Sequence, residues 1–310
     1  MIKKLKSHIV SLIIKDNPYY RSIFGYSDKF WNKFPFGLQV VNLGSNTGLY
    51  GFRYDGLDIK AANWAMSPQS FNQDLAILKT YYSFLAPKAT IIIPLGPFSS
   101  CLKHYTETEQ LKYYTILHPG VIENFSKEQQ DKAYRLKEQP LTYARKQILH
   151  GFVQKVKSQI RGVKPLLELD FQPLSDAGVE QNAQAFIDGW KKQFKIEDMD
   201  APLLSHIIEG RKKRVETLKE MYRFCIDREL RMVVVLPPVT KALSTKFSKT
   251  FRENYIYSFL REAGIPQDIF YDCLEDEELS KSEYFVNCMF LNKKGAELFT
   301  KKVLTTLHII

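Results

Sequence analysis

Three short apolar runs, Leu38–Leu43, Ala89–Leu95 and Arg231–Leu236, constrain this chain more than any other feature. Each is rich in β-branched residues and closed by Gly or Pro, the pattern of a strand buried on both faces of a parallel sheet. Helical periods lie between and after them. In Phe71–Leu85 the residues Leu75, Leu78, Tyr82 and Leu85 fall on one face; in Ser205–Leu230 the stripe is Val215, Leu218, Tyr222 and Cys225, with the Arg/Lys cluster expected to face away. Pro165–Phe171 and Ile269–Cys273 read as weaker strands, the second preceded by a helix-like Phe251–Ala263, and Lys294–Leu307 reads as a closing helix. This alternation predicts an α/β fold with a doubly wound, mostly parallel sheet in three layers.

Residues 103–204 are mostly helical in composition, broken at Pro119, Pro140 and Pro173, and are expected to form an insertion or cap. Residues 1–35 read as an N-terminal helical segment. No Gly/Ser-rich linker separates these parts, so 1–310 is expected to be a single elaborated domain. A hydrophobic share of 45% excludes a disordered chain. Cys101, Cys225, Cys273 and Cys288 have no C-x-x-C spacing, which argues against a disulfide framework and a zinc site and for reduced thiols. The apolar run Ile9–Ile14 is short and broken by Ser11, unlike a secretory signal, and no run approaches a membrane span. A cytoplasmic location is therefore expected. Residues 1–14, with Lys3, Lys4 and Lys6, are expected to be a surface helix, with peripheral contact to an anionic membrane as the alternative.

The formal charge of +10 is carried in clusters such as Arg211–Arg214 and Lys241–Arg252, a field that attracts polyanions. A nucleic-acid function is not expected, because no helix-turn-helix, zinc-finger, RRM or KH signature accompanies the charge. Acidic glycans, nucleotide-linked substrates and membrane surfaces all remain compatible with it.

In a doubly wound sheet, ligands bind beyond the carboxyl ends of the strands. Four stretches there carry the candidate chemistry: Gly44-Ser45-Asn46, the polar loop Asn63–Ser70 with Ser67, the loop Pro94–Ser100 with Ser99, and Tyr284–Thr300 with Asn287 and Asn292. A serine on a sharp strand-to-helix turn exposes its hydroxyl while nearby N–H groups face a developing oxyanion. Gly-Ser-Asn is equally ordinary turn chemistry. Gly44 and Gly48 form neither a dinucleotide fingerprint nor a P-loop, so no cofactor is expected, and no metal. Trp31, Phe34, Phe36 and Trp64 around the first strand are expected in the core, with a sugar-stacking or acyl-binding wall as the alternative.

The order of these pieces resembles the SGNH, or GDSL-type, hydrolase superfamily. The similarity is clearest in Phe290-Leu-Asn-Lys-Lys-Gly295, which looks like that family's His-Leu-Asn-x-x-Gly run, and in Leu236-Pro-Pro-Val239, which looks like its penultimate strand exit. The resemblance implies Ser45 as nucleophile, in Gly-Ser-Asn rather than Gly-Asp-Ser. It sets Pro68, which has no N–H, in the place of an oxyanion glycine, and Phe98 in the place of an asparagine, with Ser99 or Ser100 as substitute donors. Asn287 stands for the aspartate and Phe290 for the histidine.

Phenylalanine cannot take a proton, so the usual triad is degraded. Of His8, His104, His118, His150, His206 and His308, the replacement base expected first is His104, the nearest in sequence to the third loop. The expectation is a degenerate family member that binds or slowly modifies an acylated carbohydrate or surface-polysaccharide precursor, through Gly44, Asn46, Asn63, Ser67, Ser99, Asn287 and Asn292. The alternatives are an active serine esterase or O-acyltransferase with a non-standard base, and a non-catalytic scaffold.

Overall fold

The structure, a computed structural model, describes residues 14–32, 35–162 and 176–310. In chain order its main elements are α1 Pro18–Phe24, β1 Leu38–Asn42, α2 Asn46–Gly51, β2 Ala61–Asn63, α3 Phe71–Tyr81, β3 Leu85–Pro94, α4 Lys127–Glu138, α5 Arg145–Ile160, α6 Asp176–Phe194, α7 Ser205–Ile226, β4 Arg231–Leu236, α8 Ser258–Glu262, β5 Phe270–Asp272 and α9 Lys293–Thr306. They fall into two compact units.

The sheet unit comprises residues 35–103 and 176–310. Its five strands are all parallel, in the order β2-β1-β3-β4-β5, so the fold is α/β and doubly wound. Alternate strand residues point to opposite faces. Val40, Ile92, Val233 and Val235 join Phe52, Phe285, Phe299 and Val303 in one core, on the side where α2 packs against α9. Val41, Ile91, Ile93 and Val234 are equally buried and face the other way, the side of α3, α7 and α8. Phe71 of α3 lies parallel to Phe259 of α8 there, ring centroids 6.1 Å apart.

The helical unit contains residues 14–32 and 104–162. Tyr20, Ile23, Phe24, Leu111, Ala133, Leu136 and Ile148 form its core. Buried Asn17 caps α1 by accepting from the Tyr19 N–H at 3.0 Å, and donates to the Ile148 carbonyl of α5 at 2.8 Å. The insertion expected over 103–204 is thus divided: residues 104–162 gather with α1, while α6 belongs with the sheet.

Several boundaries differ from the sequence reading for local reasons. Strand β3 begins at Leu85 rather than Ala89, because Lys88 takes φ 58° and the register to β1 shifts, so the strand continues through an irregularity that the apolar pattern cannot register. Strand β2 is three half-buried residues, Ala-Ala-Asn, with no apolar run to announce it. The expected strand Pro165–Phe171 lies outside the described residues. Helix α7 corrects the expectation that its whole cationic cluster faces away. Arg211 is 2% exposed, and its guanidinium bonds Glu262 through two nitrogens, the Asn254 carbonyl and the Ser258 hydroxyl.

Candidate functional site

Strand order reverses between β1 and β3, so the crevice at their carboxyl ends is where this fold receives ligands. The exit of β1 turns through Gly44 at φ +100°, a conformation L side chains rarely adopt. Gly48 is needed for a different reason. A Cβ there would sit 2.1 Å from the Leu43 carbonyl oxygen. These two glycines let α2 start immediately behind the strand, which leaves Ser45 half-buried at the helix entrance.

The Ser45 hydroxyl accepts a hydrogen bond from the Gln69 N–H at 3.3 Å. Gln69 follows Pro68 in the loop where the resemblance would set an oxyanion glycine, and Ser67 precedes that proline across a cis bond. Beneath the loop lies Asp74, 1% exposed, whose Oδ1 accepts from the Gly44 N–H at 2.8 Å and from Gln69 Nε2 at 2.5 Å. Burial pushes this carboxyl up to about 6, against the opposing pull of those two donors and of the Arg214 charge. One acid therefore fixes the turn that carries Ser45 and the loop that touches it.

The β3 exit closes on itself. Gly96 donates its N–H to the Ser99 hydroxyl at 2.7 Å, and the Ser99 carbonyl accepts from Arg214 Nε. The Arg214 guanidinium also covers the Phe71 ring at 4.2 Å. Gly96 packs against the other two motifs: a Cβ on it would lie 3.5 Å from Met289 Cε and 3.9 Å from Thr47 Cγ2. Phe98 points away into a buried aromatic cluster with Trp190, Phe194, Phe251 and Tyr255.

The C-terminal motif reaches the same region. Phe290 stacks on Tyr50 of α2 at 5.3 Å and meets Phe186 of α6 edge-on at 6.1 Å. Asn287 Oδ1 accepts from the Met289 and Phe290 N–H groups, at 2.9 and 2.8 Å, and so closes the loop that aims this ring. Asn292 caps α9, accepting from the Gly295 N–H at 2.9 Å and donating to the Glu283 carbonyl at 2.7 Å. Asn63 donates to the Gly48 and Phe52 carbonyls at 3.0 and 2.9 Å and accepts from Asn42 at 3.0 Å. Asn46 opens α2, half-buried.

The structure thus sets Gly44, Ser45 and Asn46 at the exit of β1, Ser67 beyond β2 and Ser99 beyond β3, while the Asn63, Asn287 and Asn292 side chains hold turns and helix ends. His104 is exposed and belongs to the helical unit. His118 accepts from the Gly120 N–H, His150 meets Gln154, and His206 meets the Phe194 carbonyl. His8 lies outside the described residues. Among the described residues no histidine or carboxylate bonds the Ser45 hydroxyl, and no three His, Cys, Asp or Glu side chains stand together to hold a metal.

Sequence reasoning did not find Gln69, Asp74 or Arg214. Their signals were weak: an acid in the first turn of an apolar helix, and an arginine inside a cluster that reads as solvated. The chain matches no family model and no curated protein. Among the described residues no helix is long and apolar enough to cross a membrane.

Proposed function

We propose that this chain is an SGNH-hydrolase-like protein that binds an acylated carbohydrate or surface-polysaccharide precursor, or modifies it only slowly, without serving as an ordinary ester hydrolase. The observation that carries this reading is the Phe290–Tyr50 stack, an aromatic pair at the position that the resemblance reserves for a base. A serine hydroxyl without a proton acceptor is a poor nucleophile, and loss of the base alone costs several orders of magnitude in rate. Half-buried Ser45, Thr47, Gly96, Met289 and Phe290 instead offer two hydroxyls in an apolar and aromatic surround, a lining that suits an acyl group or a sugar face. The ligand class itself comes from the resemblance. A cytoplasmic location is part of the proposal, and the four unpaired thiols accord with a reducing compartment.

Intact-protein mass after exposure to a fluorophosphonate, comparing the native chain with Ser45→Ala, tests it. The expected result is no adduct on either. An adduct on the native chain that Ser45→Ala abolishes would establish an activated serine, and with it the esterase or O-acyltransferase reading. The Phe290 ring, packed against both Tyr50 and Phe186, favours a second reading, a scaffold with no ligand at this place. Titration of tryptophan and tyrosine fluorescence with O-acetylated oligosaccharides separates the two, since only the binding reading predicts a saturable change that Phe290→Ala weakens.

A further inference from the structure

Helix α5 has a face that the described residues of the helical unit do not use. Ile148, Gly151 and Phe152 turn inward, with Gly151 set against Asn17 so closely that a Cβ would lie 2.5 Å from its Oδ1. Roughly a quarter-turn or more round the helix lies a line of aliphatic side chains, Leu149, Val153, Val156 and Ile160, with spacings that keep them on one stripe. Their exposures are 52, 50, 53 and 81%, and four such side chains on one stripe make a contiguous apolar patch rather than scattered surface residues. Leu141 and Tyr143, exposed just before the helix, extend the apolar surface.

The charges on the same segment identify what covers it. Residues 145–161 carry Arg145, Lys146, Lys155, Lys157 and Arg161, and no aspartate or glutamate. Lys155 pairs with Asp16; the other four are exposed and have no ion-pair partner among the described residues. At 100° per residue, Lys146 and Lys157 border the stripe on one side and Arg145 on the other. A second copy of the helix would bring cation against cation with no carboxylate to answer it. A polyanion such as nucleic acid would answer the cations and leave the four aliphatic side chains in water. An anionic bilayer answers both, since acyl chains receive the stripe while lysine and arginine stems extend to the headgroups.

We propose that α5 is a membrane-surface helix that seats Leu149, Val153, Val156 and Ile160 in the interface of an anionic lipid bilayer. This assignment is independent of the function proposed for the Ser45 site.

Co-sedimentation of the full chain with vesicles of phosphatidylcholine alone, or of phosphatidylcholine mixed with phosphatidylglycerol, provides the test. The chain should sediment with the anionic vesicles and be released by salt. Val153→Asp with Ile160→Asp should lower the partition coefficient at least about tenfold, and Lys146→Gln and Lys157→Gln about fivefold each. Both positions in the first variant are exposed, so its circular dichroism and thermal midpoint should match the native chain. No sedimentation with anionic vesicles, or sedimentation that the aspartates leave unchanged, would overturn the assignment. So would a concentration-dependent dimer lost in the same variant without lipid, which would make the stripe a self-association seam. Binding to an oligonucleotide as tight as to vesicles would overturn it in favour of a polyanion partner.

Discussion

The rings of Phe290 and Tyr50 lie 5.3 Å apart at centroids, with planes 24° from parallel. They join the loop closed by Asn287 to the short helix that begins behind Ser45, so one contact spans the two motifs whose order suggested a hydrolase. Aromatic pairs of this kind are worth about 0.5–1.5 kcal/mol beyond the area they bury. Phe290→Ala should cost about 2 kcal/mol, below the usual range for a fully buried ring because this one is half-buried. A double-mutant cycle with Tyr50→Ala, read from urea denaturation, should give a coupling near 1 kcal/mol. A coupling near zero would mean that the rings are neighbours without mutual stabilisation.

The turn that carries Ser45 leaves no room for a side chain at Gly48. A Cβ at Gly48 would meet the Leu43 carbonyl at 2.1 Å and the Ala65 Cβ at 3.0 Å, and backbone cannot swing aside as a flexible side chain does. Gly48→Ala should destabilise the sheet unit by about 3 kcal/mol or more. Gly51, three residues on in the same helix, has only Phe299 Cε1 at 3.9 Å. Gly51→Ala should be neutral or stabilising by up to about 1 kcal/mol, since alanine is the better helix former. Equal losses in the two variants, compared by thermal unfolding, would remove the steric explanation.

The parallel sheet was legible because strands buried on both faces leave a continuous apolar signature. Arg231–Leu236 coincides with β4, and Leu38 opens β1 as expected. Strand β2 was not legible, since a three-residue edge strand of half-buried alanines contributes almost nothing to an apolar count. At the site, Ser45 and Phe290 were legible as positions in a motif order. What surrounds them was not, because contacts such as Gln69 to Ser45 join residues 24 apart in sequence through a loop whose course no local pattern encodes. Charge was misleading in one particular. Arg211 and Arg214 belong to a run of four cations, yet the helix turns Arg211 into the protein, where three acceptors await it, and sets Arg214 against the Ser99 carbonyl and the Phe71 ring.

Arg211 supplies a prediction of its own. Its side chain is 3% exposed while Glu262 opposite is 54% exposed, so the arginine carries most of the desolvation and the glutamate keeps much of its hydration. Arg211→Ala would remove a donor from both the Asn254 carbonyl and the Ser258 hydroxyl, which keep their 2.9 Å bond to each other, and should cost about 2 kcal/mol. Arg211→Lys should recover little of this, because one ammonium cannot reach Glu262, Asn254 and Ser258 in the fork geometry the guanidinium uses. Chemical denaturation of both variants checks the point. Full rescue by lysine would show that charge, and not geometry, is what the site requires.

Asp74 gives the protein a pH dependence whose sign opposes that of ordinary surface carboxylates. Burial raises its carboxyl from the usual 3.8 to about 6. The folded state therefore holds this proton more tightly than the unfolded chain does. The contribution to stability is complete below pH 4 and is lost as pH rises through about 6. At about 1.4 kcal/mol for each pH unit between the two values, the loss amounts to about 3 kcal/mol. Asp74→Asn keeps an oxygen for the Gly44 and Gln69 donors and has no proton to lose. The stability of the native chain relative to this variant, from urea midpoints at a series of pH values, should fall between pH 4 and 7 and level off above. A flat difference would mean that Asp74 is ionised throughout, with the Gly44 and Gln69 hydrogen bonds and the Arg214 charge outweighing its burial.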